Sequence, residues 1–190
     1  AAGATTGLQR LHLSQKKECL LYVPAGCRPG TALPFVLLLH GAGGKAAHGL
    51  SYLQGHADTH NLVLLAPAAH DYSWDIIAAD AFGIDVLFID RALSYVFERF
   101  AINPKRLAIG GFSDGASYAL SLGLGNGELF SHIIAFSPGF YYTYENRGKP
   151  SVFVSHGVHD DVLPVGPCSR RIVPGLQQGA YDGLYKVFNG

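Results

Sequence analysis

Apolar positions along the chain fall into two kinds of run: short unbroken blocks and longer stretches carrying a helical stripe. Residues 35–39 (FVLLL) and 62–66 (LVLLA) are continuous apolar blocks of strand length, the pattern of strands buried on both faces. Residues 8–13 alternate, and residues 19–23 end at Pro24, so both read as strands of an antiparallel start. Residues 107–109, 133–136, 152–154 and 184–188 give further strands. Between them lie helical patterns: a polar, His-rich stretch over 45–60, a second over 83–100 and a third over 114–124. In the second, Ile84, Leu87, Phe88, Leu93, Val96, Phe97 and Phe100 form one stripe, which Asn103 and Pro104 stop. A weaker helix over 168–178 contains Pro174, expected to kink or restart it. Strands alternating with helices predict an α/β fold, a mostly parallel sheet with helices on both faces.

Composition narrows this. At 190 residues the chain reads as a single domain, 1–190, able to bury a core without staples. Charged residues make up 15%, against about 25% in an average soluble domain. Lys plus Arg equals Asp plus Glu at 14 each, which predicts neither a nucleic-acid-binding field nor a polybasic membrane patch. Apolar runs fall far short of the ~20 residues needed to span a bilayer. Cys19, Cys27 and Cys168 show no CxxC spacing, so neither a disulfide framework nor a zinc site is expected, and a reducing, cytoplasmic setting fits. The opening AAGATTG lacks the features of a signal peptide, and a chain without methionine reads as processed or as a fragment.

Three loops carry candidate chemistry, each directly after a predicted strand. Gly111, Phe112, Ser113, Asp114 and Gly115 form the G-x-S-x-G pattern between a strand and a helix, the nucleophile elbow. Its glycines permit a turn so sharp that side chains would clash, and the helix start aims amides at the serine hydroxyl. His40, Gly41, Ala42, Gly43 and Gly44 follow FVLLL in an HG-x-GG arrangement suited to a second oxyanion donor. The expected oxyanion donors are the amides of Ala42 and Asp114, with Gly41 and Gly43 touching substrate. His156 to Pro164 (HGVHDDVLP) offers Asp160 or Asp161 as the carboxylate that orients an imidazole.

These three motifs, in this order, resemble the α/β-hydrolase superfamily, and within it the small serine esterases of the phospholipase/carboxylesterase type. The likeness runs from about residue 20 to 190. It implies an α/β-hydrolase fold with a minimal lid, no cofactor or metal, and hydrolysis of carboxylic esters or thioesters with small to medium acyl groups. The family pattern HGxxDxVxP assigns the acid to Asp160. Ser113 would be the nucleophile.

The same resemblance places a catalytic histidine after the last strand, where this sequence has only Asn189 and Gly190. All nine histidines lie at or before His159. His159 adjoins the acid it would need, His156 sits at a strand end and His40 in the oxyanion loop, so none is expected to be the base. His56 and His60 have i, i+4 spacing without an HExxH motif or a third ligand. The expectation is therefore that residues encoded after Gly190 supply the histidine, together with a C-terminal helix to cover the last strand. A catalytically silent hydrolase-fold binding protein is the alternative. Trp74 is a candidate pocket wall, with burial in the core as the competing reading. The aromatic loop Phe140, Tyr141, Tyr142 and Tyr144 either covers the core or lines an acyl or aryl site, which would point to aryl-ester or polyester hydrolysis. Acyl length, physiological substrate and oligomeric state leave no trace in the sequence.

Overall fold

The computed structural model describes residues 5–190. The reading of the opening stretch rests partly on residues 1–4, which lie outside the described residues. The strands are β1 (Gly7–Leu11), β2 (Cys19–Val23), β3 (Leu33–Leu39), β4 (Val63–Pro67), β5 (Ile102–Phe112), β6 (His132–Phe136), β7 (Ser151–Gly157) and β8 (Gly183–Phe188). The helices are α1 (Ala46–Ser51), α2 (Gln54–His60), α3 (Asp75–Ala78), α4 (Ile84–Phe97), α5 (Asp114–Gly125) and α6 (Ser169–Gln178). One eight-stranded sheet runs β1-β2-β4-β3-β5-β6-β7-β8. The pairs β1/β2 and β2/β4 are antiparallel, and every pair from β4/β3 to β7/β8 is parallel.

All seven residues of β3 and all five of β4 are buried, because apolar cores lie on both sides of them. The larger core joins alternate residues of the sheet to α4, α5 and α6. The smaller sets Val36, Leu38, Leu64 and Ala66 against α1 and α2. On the smaller core's side, an open groove of about 490 Å³ runs toward β8, lined by Pro34, Val36, Ala108, Ile134, Phe153 and Leu184.

Several elements depart from expectation for local physical reasons. The 45–60 stretch forms two helices, because the chain turns at Tyr52 and Leu53 to pack both onto the smaller core. Helix α4 ends at Phe97, and its buried face is Asp85, Ile89, Ala92, Leu93 and Val96. Ile84 and Leu87, expected in the buried stripe, are 49% and 71% exposed. What rotates the helix is Asp85, whose carboxylate accepts the backbone N–H groups of His70 (2.7 Å) and Asp75 (2.9 Å). Strand β5 is longer than the apolar core of its sequence, and its register against β3 shifts between the Leu33 and Phe35 pairings. Helix α6 runs through Pro174 without a break. Pro174 and Arg170 are exposed, so water can solvate the carbonyl that the proline leaves unbonded, while Ile172 and Leu176 anchor the inner face.

Two features fix the carboxyl edge of the sheet. The end of β3 and the start of α5 meet backbone to backbone: a Cβ on Gly115 would collide with the carbonyl oxygens of Leu39 and His40, the latter at 2.5 Å. A Cβ on Gly111 would come within 2.5 Å of Gly115 and 2.6 Å of the Leu39 oxygen. Beside this contact lies a buried polar cluster. Asp75 accepts hydrogen bonds from the Tyr118 hydroxyl (2.7 Å) and from the N–H groups of Gly83 (2.7 Å) and Asp85 (3.0 Å). Burial, and after it the like charge of Asp75, pushes the Asp85 carboxyl above the usual carboxylate range.

Gly115→Ala is expected to destabilise the fold by roughly 1–3 kcal/mol, because backbone carbonyls cannot move aside as a side chain could. Tyr118→Phe removes a buried donor to Asp75 and is expected to cost about 1–3 kcal/mol. Urea unfolding of each variant beside the parent protein measures both.

Candidate active site

Ser113 stands between the carboxyl end of β5 and the first turn of α5, at φ 55° and ψ −121°. Positive φ is rare for a residue with a side chain and costs on the order of 1–3 kcal/mol unless its surroundings enforce it. Here they do. The Ser113 N–H donates to the Phe136 carbonyl at 2.9 Å, and the two glycines leave space for no other path. Asp114 is the first residue of α5, so its N–H has no carbonyl one turn earlier in the helix. Its carboxylate accepts the Ser73 hydroxyl at 2.5 Å, which pins the helix start to the loop before α3.

The loop after β3 comes up against this turn. A Cβ on Gly41 would lie 3.4 Å from Ser113 Cβ and 3.4 Å from the Phe112 ring. Within the loop, the Gly43 N–H donates to Tyr72 O (2.7 Å) and the Gly44 N–H to Gly41 O (3.0 Å). The exposed Ala42 has no such partner for its N–H among the described residues. Tyr72 lays its ring over Gly43, where a Cβ would come within 2.8 Å of it. His40, which starts the loop, is buried. Its Nδ1 faces Gly41 O at 2.6 Å and its Nε2 accepts the Ala69 N–H at 2.9 Å. A carbonyl can only accept and an amide N–H only donate, so these partners select the neutral Nδ1–H tautomer. Burial depresses the imidazole below the usual histidine range.

Trp74, expected on the substrate-pocket wall, is fully buried. Its indole N–H donates to His40 O at 2.8 Å, and its ring lies 4.8 Å from the His40 ring and stacks on Tyr118 at 5.2 Å. The competing core reading is the correct one, since one large apolar ring with a single donor fits the space behind the His40 loop. From there it braces that loop without reaching the surface.

Near the end of β7, His156 is buried, with Nδ1 2.6 Å from Ser169 Oγ and Nε2 2.7 Å from Leu163 O. Asp160 is largely covered; its Oδ1 accepts the N–H groups of Val162 (3.0 Å) and Leu163 (2.8 Å), and its Oδ2 lies 3.4 Å from His156 Nε2. Asp161 is exposed. His159 is exposed too, with Nε2 2.8 Å from Asn189 Oδ1, while its N–H donates to Gly190 O at 2.8 Å. Among the described residues no hydrogen bond joins a histidine to Ser113, and no group of three or more His, Cys, Asp or Glu is arranged to hold a metal ion.

Sequence reading missed the scaffold that joins these loops. Ser117 and Ser121, buried on α5, reach across to the segment after β6. Ser117 Oγ accepts the N–H groups of Gly139 (2.9 Å) and Phe140 (3.3 Å), and Ser121 Oγ accepts that of Tyr142 (2.9 Å). Two serines one turn apart in an otherwise apolar helix were the available signal, since such residues in a core need partners.

No protein-family model matches the chain. Acyl-protein thioesterase 1 of Saccharomyces cerevisiae is 29% identical over 103 residues, a match covering 50% of this chain and 45% of that protein. Among solved structures, a thermostable esterase aligns with a TM-score of 0.77 and 21% identity, over 96% of this chain and 55% of that one. Esterase PE8 aligns with a TM-score of 0.73 and 25% identity, over 97% and 90% of the two chains. The chain thus spans about half the length of the first two. Among the described residues no helix is long and apolar enough to cross a membrane. With its mostly parallel eight-stranded sheet flanked by helices, the chain has the α/β-hydrolase fold, and the relatives it resembles are esterases and a thioesterase.

Proposed function

We propose that the protein is a serine hydrolase that cleaves carboxylic esters or thioesters of small to medium acyl groups through an acyl-enzyme on Ser113. The observation that carries this reading is the packing of Gly41 against a Ser113 held at positive φ. This packing supports a reading in which the amides of Ala42 and Asp114 receive the oxygen of a carbonyl under attack by the serine. Ser113 is then the apex of a nucleophile elbow, and the two amides are its oxyanion hole.

In the first step Ser113 Oγ attacks the carbonyl carbon, a general base takes the hydroxyl proton, and negative charge gathers on the carbonyl oxygen between the two amides. Collapse expels the alcohol or thiol, which leaves with that proton. Water then attacks the acyl-enzyme by the same route and releases the acid. Asp160 is the orienting carboxylate: its turn-forming hydrogen bonds hold it rigid and half-hidden, whereas Asp161 projects into solvent. The base is an imidazole by resemblance. The Gly190 carbonyl lies against the His159 amide, one residue from Asp160. The free thiols of Cys19, Cys27 and Cys168 support a reducing, cytoplasmic setting.

With the full-length protein, hydrolysis of a short p-nitrophenyl ester is expected to fall by at least ~10³ in Ser113→Ala, and a fluorophosphonate probe should label the parent on Ser113 alone. Equal turnover in the variant would refute the nucleophile. A parent that neither turns over esters nor takes the probe would instead be a binding protein on a hydrolase fold. Asp160→Asn should reduce turnover far more than Asp161→Asn in the same assay. The reverse order would move the acid by one residue.

A further inference from the structure

A cavity of about 570 Å³ lies between α3 and the segment after β6, lined by Ile76, Ile77, Asp80, Phe140, Tyr141 and Tyr142. Its walls are unusual for a surface hollow. Phe140 and Tyr142 are 38% and 46% exposed, and Tyr144 beside them is 78% exposed, so three aromatic rings face solvent within five residues. They are held in place. Phe82 lies 6.3 Å from Tyr142 and 6.0 Å from Tyr144, and those two tyrosines meet edge to face at 5.3 Å.

The hollow is also tied to Ser113. The Ser117 hydroxyl that accepts the Gly139 and Phe140 amides donates to the carbonyl of Ser113 itself, at 3.3 Å. Ser121, one turn on, fixes Tyr142 in the same way. The other wall follows Trp74 directly in sequence, behind the His40 loop. Asp80, exposed at the rim, carries the one carboxyl among the lining residues. Asp80 sits at φ 55°, a conformation that an isolated aspartate seldom adopts.

We propose that this cavity is an aryl subsite, in which the ester's flat ring lies against Phe140 and Tyr142 and a ring hydroxyl donates to Asp80. The proposal rests on the ester-hydrolysis reading and gives it a substrate class, hydroxyaryl esters. Aromatic walls favour a π face over a saturated group of equal size, because stacking adds to area burial. A carboxylate acceptor at the lining then separates a phenol from a bare ring, since a matched hydrogen bond to a charged group outweighs one to water.

Titration calorimetry on Ser113→Ala, which cannot consume the ligand by this route, tests it. The probes are methyl 3-(4-hydroxyphenyl)propanoate, methyl 3-phenylpropanoate and methyl 3-cyclohexylpropanoate. The hydroxyphenyl ester is expected to bind at least ~10-fold more tightly than the cyclohexyl ester. Adding Tyr142→Ala should erase that ratio and Tyr142→Phe should keep it, which separates a lost ring from a lost fold. Adding Asp80→Gly, which tolerates the positive φ, should make the hydroxyphenyl and phenyl esters equal. Equal affinity for aryl and cyclohexyl esters overturns the subsite. Tighter binding of methyl 4-(trimethylammonio)butanoate than of the hydroxyaryl ester overturns it in favour of a cation cage. Fluorophosphonate labelling of the parent separates the two readings: labelling without ring preference defeats the subsite alone, and ring binding without labelling defeats the ester.

Discussion

Everything at the carboxyl edge of the sheet depends on the absence of two β-carbons. Gly111 and Gly115 let the start of α5 settle onto the Leu39 and His40 carbonyls, and that contact gives Ser113 its positive φ. The strain at Ser113 is local, but what opposes it is spread widely. Neighbouring strands, the Ser113 amide on β6 and the Ser73–Asp114 hydrogen bond all converge on one turn of chain. A single added methyl group at either glycine would therefore disturb the His40 loop, the helix start and the serine together.

Around that contact the molecule uses short polar side chains as fasteners between loops that have few apolar contacts of their own. Ser73 ties the loop before α3 to α5. Ser117 and Ser121 tie the segment after β6 to the same helix, and Asp160 closes its own turn with two backbone amides. Asp75, Asp85 and Tyr118 do the same from beneath. Each loop is thus positioned by directional bonds anchored in a rigid element, the arrangement that holds a reacting group to within a fraction of an ångström.

The parts legible in sequence were those whose signal is local. FVLLL and LVLLA marked β3 and β4 because a strand buried on both faces needs no polar alternation. Gly111 and Gly115 marked the turn because few other sequences could make it. What stayed hidden depends on partners far along the chain. Asp85 turned α4 away from its apparent stripe because amides at 70 and 75 were waiting for a carboxylate. Trp74 read as a wall residue because nothing nearby shows that its indole hydrogen bond would go to His40. The bonds from Ser117 and Ser121 span about twenty residues, beyond the reach of any periodicity.

Trp74 is the sole tryptophan of the chain, and its position has a consequence for spectroscopy. An indole shielded from water, bonded to the carbonyl of His40 and stacked on Tyr118, emits at the blue end of the tryptophan range. With no second indole to dilute the signal, the emission of the whole protein becomes a report from one place, the underside of the loop that touches Ser113. Loosening of that loop would redden the spectrum while the rest of the sheet stayed folded. The molecule therefore carries its own optical probe for the order of its candidate active site.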